Sequence, residues 1–96
     1  MKVLVTEPAQ DDIREIGEYI RQDSPPAAAR LVEGLLAACR ELARNPNRYP
    51  KASTLGLRKR AHGAYLIFYR VGPVIEVVRI LHAARDWTHL LDTDED

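Results

Sequence analysis

The chain is poor in the residues that would tie it to several large classes of protein. It has one cysteine, Cys39, in 96 residues, so no internal disulfide can form, and a reducing cytoplasm is the expected compartment. Aromatic residues make up only 6%, and basic and acidic side chains balance at 14 each. No apolar run approaches the roughly 18 residues of a membrane span, and the start Met1-Lys2-Val3-Leu4-Val5 is too short for a signal peptide, so no membrane association is expected. There is no internal repeat, no low-complexity segment and no Gly-rich phosphate loop. No Ser-His-Asp order and no helix-turn-helix pattern occurs either. His62, His82, His89 and Cys39 lack the close spacing of zinc ligands, so neither a metal nor a cofactor is expected.

The composition that is present suits one globular domain spanning residues 1–96. Hydrophobic residues are 46% and charged residues 29%, wrong for a disordered chain. The charge is unevenly spread. Residues 51–89 carry seven basic side chains against two acidic ones, Glu76 and Asp86. The tail offsets most of this with Asp92, Asp94, Glu95 and Asp96. A basic sheet half predicts an anionic partner, nucleic acid or an acidic protein segment, and the plain alternative is a solvated charged rim.

In order, Val3 to Thr6 reads as a strand. Thr6 is placed to cap a helix with Pro8 in its first turn, where the missing N–H costs nothing. Ala9, Ile13, Ile16, Gly17 and Ile20 recur at helical spacing, with Asp11, Asp12, Arg14, Glu15, Glu18 and Arg21 on the other side. Ser24 is a good N-cap for a second helix begun by Pro25. Ala28, Leu31, Val32, Leu35, Leu36, Cys39 and Leu42 form its stripe, and Asn45-Pro46 ends it. Helices joined by so short a link form an antiparallel hairpin. Residues 47–54 read as a loop and Leu55 to Ala61 as a strand, with Arg58 and Arg60 on one face and Leu57, Lys59 and Ala61 on the other. His62-Gly63 links it to the next strand.

Tyr65 to Val71 and Val74 to His82 are rich in β-branched and aromatic residues and are separated by Gly72-Pro73, which predicts a hairpin. Pro73 excludes a type I′ turn, leaving a turn with Gly72 at positive φ or a longer loop. With a two-residue loop, Tyr65, Ile67, Tyr69 and Val71 share a face with Val74, Glu76, Val78 and Ile80. Leu66, Phe68 and Arg70 then lie with Ile75, Val77, Arg79 and Leu81. The fold class is α+β: an N-terminal strand, a helical hairpin and a three-stranded antiparallel meander in one small sheet, in the order β-α-α-β-β-β, with a short C-terminal tail. Both sheet faces are apolar, and the helical hairpin covers one. Trp87, Leu90 and Leu91 can make a short amphipathic turn, but so short a segment shields little. The second face is therefore expected to stay partly open, as a groove for a partner's helix or strand.

The run from Arg58 through Tyr65-Leu66-Ile67-Phe68-Tyr69-Arg70-Val71 and Val78-Arg79-Ile80-Leu81-His82 to Ala83-Ala84-Arg85-Asp86 resembles the RelE/ParE family of bacterial type II toxins. It is closer to the ParE branch. Ala9 to Ile16, Tyr19-Ile20, the Ala-rich second helix and Asn45-Pro46 agree with it. The resemblance covers about residues 3–91. It implies growth arrest through inhibition of DNA gyrase, a role in plasmid maintenance, and a toxin–antitoxin hetero-oligomer with a ParD-like antitoxin. DNA would then be contacted only indirectly. A RelE-like, ribosome-dependent messenger-RNA endoribonuclease is the alternative it implies, and a detoxified interaction module of the same fold is a third.

The antitoxin-binding residues expected on this basis are Leu57, Arg58, Tyr65, Ile67, Tyr69 and Arg79. Arg58, Arg79, His82, Arg85 and Trp87 are expected to bear on toxicity or contact the target. No catalytic residue is assigned. RNA cleavage through the 2′-hydroxyl needs a base, an acid and cations. Trp87 and His89 stand where the ribonucleases of this family resemble one another in carrying a Tyr or a His-Tyr pair, and Trp transfers no proton. The plain readings are a hydrogen-bonded structural role for His82, a turn role for His62, packing for Tyr65 and Tyr69, and an ion pair for Arg79 with a carboxylate such as Glu76 or Asp86.

Overall fold

The computed structural model describes residues 1–52, 56–87 and 91. The elements run β1 (Val3–Val5), α1 (Glu7–Arg21), α2 (Pro25–Glu41), β2 (Leu57–His62), β3 (Tyr65–Val71) and β4 (Ile75–His82), the expected α+β order. Pro residues sit in the first turn of both helices. The Ser24 hydroxyl accepts the Ala27 N–H at 3.3 Å, an N-cap for α2. Thr6 departs from expectation: its side chain makes no cap. Its hydroxyl instead donates to the Val77 carbonyl at 2.8 Å, tying the β1–α1 junction to β4. The expected strand start at Leu55 and the residues His89, Leu90 and 92–96 lie outside the described residues.

The sheet order is β1-β4-β3-β2, with β1 parallel to β4 and the last three strands an antiparallel meander. The parallel pairing requires a crossover, which the helical hairpin supplies. Gly63, at φ +58°, makes the tight link between β2 and β3. Gly72 is not at positive φ; Val71 pairs with Ile75 across the three-residue link Gly72-Pro73-Val74. Further on, the register shifts between Phe68 and Tyr69, which face Arg79 and Val77, so Val78 is a bulged extra residue. Loop and bulge together overturn the facing predicted for a two-residue turn. Ile75 and Val77 join Ile67, Tyr69 and Ile80 beneath the helices, and Val78 turns to the other face.

The helix-side core gathers Ala9, Ile13, Leu35, Ala38, Cys39 and Leu42 against those five strand residues. Full burial of each large side chain contributes roughly 1.5–3 kcal/mol. The opposite face does not stay open as expected. Phe68, Leu81 and Leu57 are buried there with Leu91, and Trp87, Ala52, Leu66 and Val78 pack around them. The Trp87 ring lies 5.3 Å from that of Phe68 and carries the Lys59 ammonium at 4.8 Å. Two apolar side chains from the end of the chain thus close the middle of the sheet, which a count of residues alone undervalues. The alternation of β2 explains the rest: Leu57 and Lys59 face this second core, while Arg58 and Arg60 face the helix side.

Candidate functional site

Three of the residues singled out in the sequence converge on one cleft. Tyr65 opens β3, His82 closes β4, and the two are paired across the strands. Their rings meet edge to face, with centroids 5.3 Å apart and planes at 78°. Arg85 comes next, in the exposed turn after β4. The other wall is α1, which contributes Asp12, Glu15, Ile16 and Tyr19, and the cleft encloses about 450 Å³. Tyr19 is 69% exposed, a large apolar ring held at the rim.

The floor is fixed by a pair far apart in sequence. Asp12 is 7% exposed and accepts from Arg79 Nε at 2.8 Å and Nη2 at 3.1 Å. The same carboxylate accepts the Ile80 N–H at 2.9 Å. β1 pairs β4 only as far as Val77, and Thr6 N–H reaches the Val77 carbonyl. Beyond that point β4 has no strand neighbour on this side among the described residues, and Asp12 accepts from its backbone instead. Helical spacing places Asp12 on the polar side of α1, so its burial is a correction. The ion pair that the plain reading gives Arg79 is present, and the carboxylate that makes it is that of Asp12.

His82 is oriented by its own turn. Its Nδ1 accepts the Ala84 N–H at 3.0 Å, which leaves Nε2 to carry the proton of the neutral ring. The cleft therefore offers a ring N–H, a phenol, a guanidinium and the Glu15 carboxylate around an aromatic rim. That mixture suits a protein segment with both charge signs and an apolar anchor.

The remaining expected residues lie elsewhere. Ile67 and Tyr69 are 0% exposed in the helix-side core, so their assignment to antitoxin contact is corrected. The Tyr69 hydroxyl donates to the Pro46 carbonyl, and burial raises its pKa. Leu57 is buried in the second core, and Trp87 packs over it. Arg58 donates to the Tyr49 carbonyl at 2.6 Å and holds down the loop before β2. Burial pushes the Cys39 thiol up to about 11, so it is protonated and unreactive at neutral pH. Among the described residues no group of three or more His, Cys, Asp or Glu side chains could hold a metal ion.

The contribution of α1 is what sequence reasoning missed. The signal was there: positions 12, 15, 16 and 19 share one helix face beside the apolar stripe, and that face carries an aromatic residue.

Known proteins are similar to this chain both in sequence and in structure. The profile of the ParE toxin of the type II toxin–antitoxin system parDE matches residues 3–87. The candidate toxin Y4kP of Sinorhizobium fredii is 35% identical over 82 residues, covering 80% of this chain and 82% of the relative. A chromosomal ParDE toxin–antitoxin system from P. aeruginosa matches in structure with a TM-score of 0.75 and 22% identity, covering 85% of this chain and 95% of the other. A RelBE toxin–antitoxin complex from Mycobacterium tuberculosis gives a TM-score of 0.64 and 23% identity, covering 84% and 95%.

Proposed function

The chain belongs to the ParE toxin family of type II toxin–antitoxin systems, and on that premise we propose that it arrests growth by inhibiting DNA gyrase in the cytoplasm until a ParD-like antitoxin binds it. Residues 1–96 act as one toxin domain. The observation that carries the reading is the family match across residues 3–87, which takes in α1, the sheet and the cleft between them. The cleft of Tyr65, His82 and Arg85 is the contact surface for antitoxin or target, with Arg79 positioned behind it by Asp12. The second core supports a protein inhibitor over a nuclease. Trp87, close to where the ribonucleases place a proton-transferring side chain, is an indole packed against Phe68. Tyr69 is buried with its hydroxyl engaged.

A RelE-like endoribonuclease is the second reading, because Tyr65, His82 and Arg85 stand together and supply proton donors and a cation. Expression in a host without antitoxin separates the two. Filamentation, a DNA-damage response and trapped gyrase–DNA cleavage complexes are expected. Codon-dependent messenger-RNA cuts with intact DNA would transfer the assignment to the nuclease, and harmless expression would indicate a detoxified module. In a separate titration with purified antitoxin, Tyr65→Ala, which trims the cleft wall, is expected to weaken binding by about tenfold, as for a truncated aromatic contact. Undiminished binding would remove the cleft from the interface.

A further inference from the structure

Basic charge is dense in one stretch of this neutral chain, and part of it forms a surface that shares no residue with the cleft. Residues 40–60 hold seven of its 14 Lys and Arg side chains and a single acid, Glu41. α2 ends at Glu41, and the chain continues in tight turns, with the Arg44 N–H donating to the Glu41 carbonyl and Arg48 N–H to that of Asn45. Arg40, Arg44 and Arg48 are exposed, and among the described residues none has a carboxylate within 4 Å. They line two adjoining hollows that share Arg44 and Glu41. One, of about 340 Å³, is formed with Ala37 and Arg40. The other, of about 330 Å³, is formed with Asn45, Arg48, Tyr49 and Arg60.

The second hollow is built rather than incidental. The guanidinium of Arg48 lies 5.6 Å and that of Arg60 5.2 Å from the centre of the Tyr49 ring. Arg60 is held by the Ala38 carbonyl at 2.7 Å and by Glu41 at 2.7 Å. Tyr49 is held through its carbonyl by Arg58. The single acid is thus occupied in fixing a cation, and the Arg60 guanidinium in turn keeps the Glu41 carboxyl below its usual range. Helix C-terminal position alone would account for one or two of these charges through the macrodipole, but not for the row that continues past the helix and around a ring.

We propose that this face, Arg40, Arg44 and Arg48 with the Arg60–Tyr49 platform, binds the phosphodiester backbone of nucleic acid directly. Planar guanidiniums pair with phosphate oxygens in a bidentate manner, and interfaces of this kind are polar and strongly positive. An acidic peptide is the other anionic partner to weigh. Arginine clusters also take acidic segments, but a protein interface usually buries an apolar core, and neither hollow is lined by a branched aliphatic side chain. The inference goes beyond the toxin reading, which needs only a protein target, and it replaces the expectation that DNA is reached indirectly.

The test is fluorescence anisotropy of the purified chain with a labelled 20-base-pair DNA duplex and with a labelled single-stranded RNA, titrated at several salt concentrations. Three phosphate contacts give a slope of log affinity against log salt of about −3 on the duplex. Arg44→Ala combined with Arg48→Ala is expected to reduce that slope to about −1 and the low-salt affinity by at least about tenfold. Arg30→Ala, an exposed change outside the patch, leaves both unchanged. Binding of either nucleic acid with this response supports the proposal. Three results overturn it: no binding of either at low salt, an unaltered slope in the double variant, or displacement of the duplex by polyglutamate at equal charge concentration. Circular dichroism of the variants checks that the fold is kept.

Discussion

Asp12 satisfies three donors at once, two from a guanidinium and one from the backbone of a neighbouring strand. Removing one member of a buried charge pair is costly because the other stays desolvated, typically by about 3–5 kcal/mol. The Arg79 side chain keeps 21% of its exposure, which moderates the figure. Asp12→Ala is expected to destabilise the chain by about 2–3 kcal/mol, read from urea unfolding. Replacing both partners by leucine should recover part of the loss, since no uncompensated charge then remains. A single variant as stable as the wild type would show that the pair is solvated in solution. Spacing along α1 puts Asp12 with the polar residues because a stripe argument sees only one helix. The partner that draws it inward lies 67 residues away.

The helices were legible as elements because prolines and apolar spacing point the same way in each, and in α2 the cap agrees as well: Ser24, Pro25, Leu35 and Cys39 all stand where the pattern requires. β4 was legible as a strand but not in register. Pro73 leaves room for the longer link, but the bulge at Val78 leaves no mark in a run rich in valine and isoleucine, and the two together decide which of Ile75, Val77 and Val78 meets the helices. The C-terminal segment is misjudged from sequence for a different reason. Its length is small, but Trp87 and Leu91 are large and land on Phe68 and Leu81 at the centre of the sheet. Trp87→Ala is expected to cost about 2 kcal/mol, below the usual figure for a tryptophan because the ring is half-buried. Dye binding to exposed apolar surface should rise with it. Unchanged stability and no added dye binding would mean that the segment does not close this face.

Closure of the second face changes how the whole molecule can behave alone. An open apolar groove would make the toxin dependent on its antitoxin for solubility as well as for neutralisation. Here the middle of both faces is covered, and among the described residues the large hydrophobic side chains left exposed are Met1, Leu4 and Tyr19. A partner is left with a mixed polar and aromatic cleft on one side and an arginine face on another, surfaces compatible with a free, folded monomer. The chain, unfolded in denaturant and refolded without antitoxin, is therefore expected to sediment as a 10.9 kDa monomer with a cooperative unfolding transition. Aggregation that is relieved only by adding antitoxin would show that a large apolar surface is still uncovered in solution. Antitoxin binding should then depend on charge and hydrogen bonding at the cleft and weaken with salt, rather than behave as the burial of a hydrophobic face.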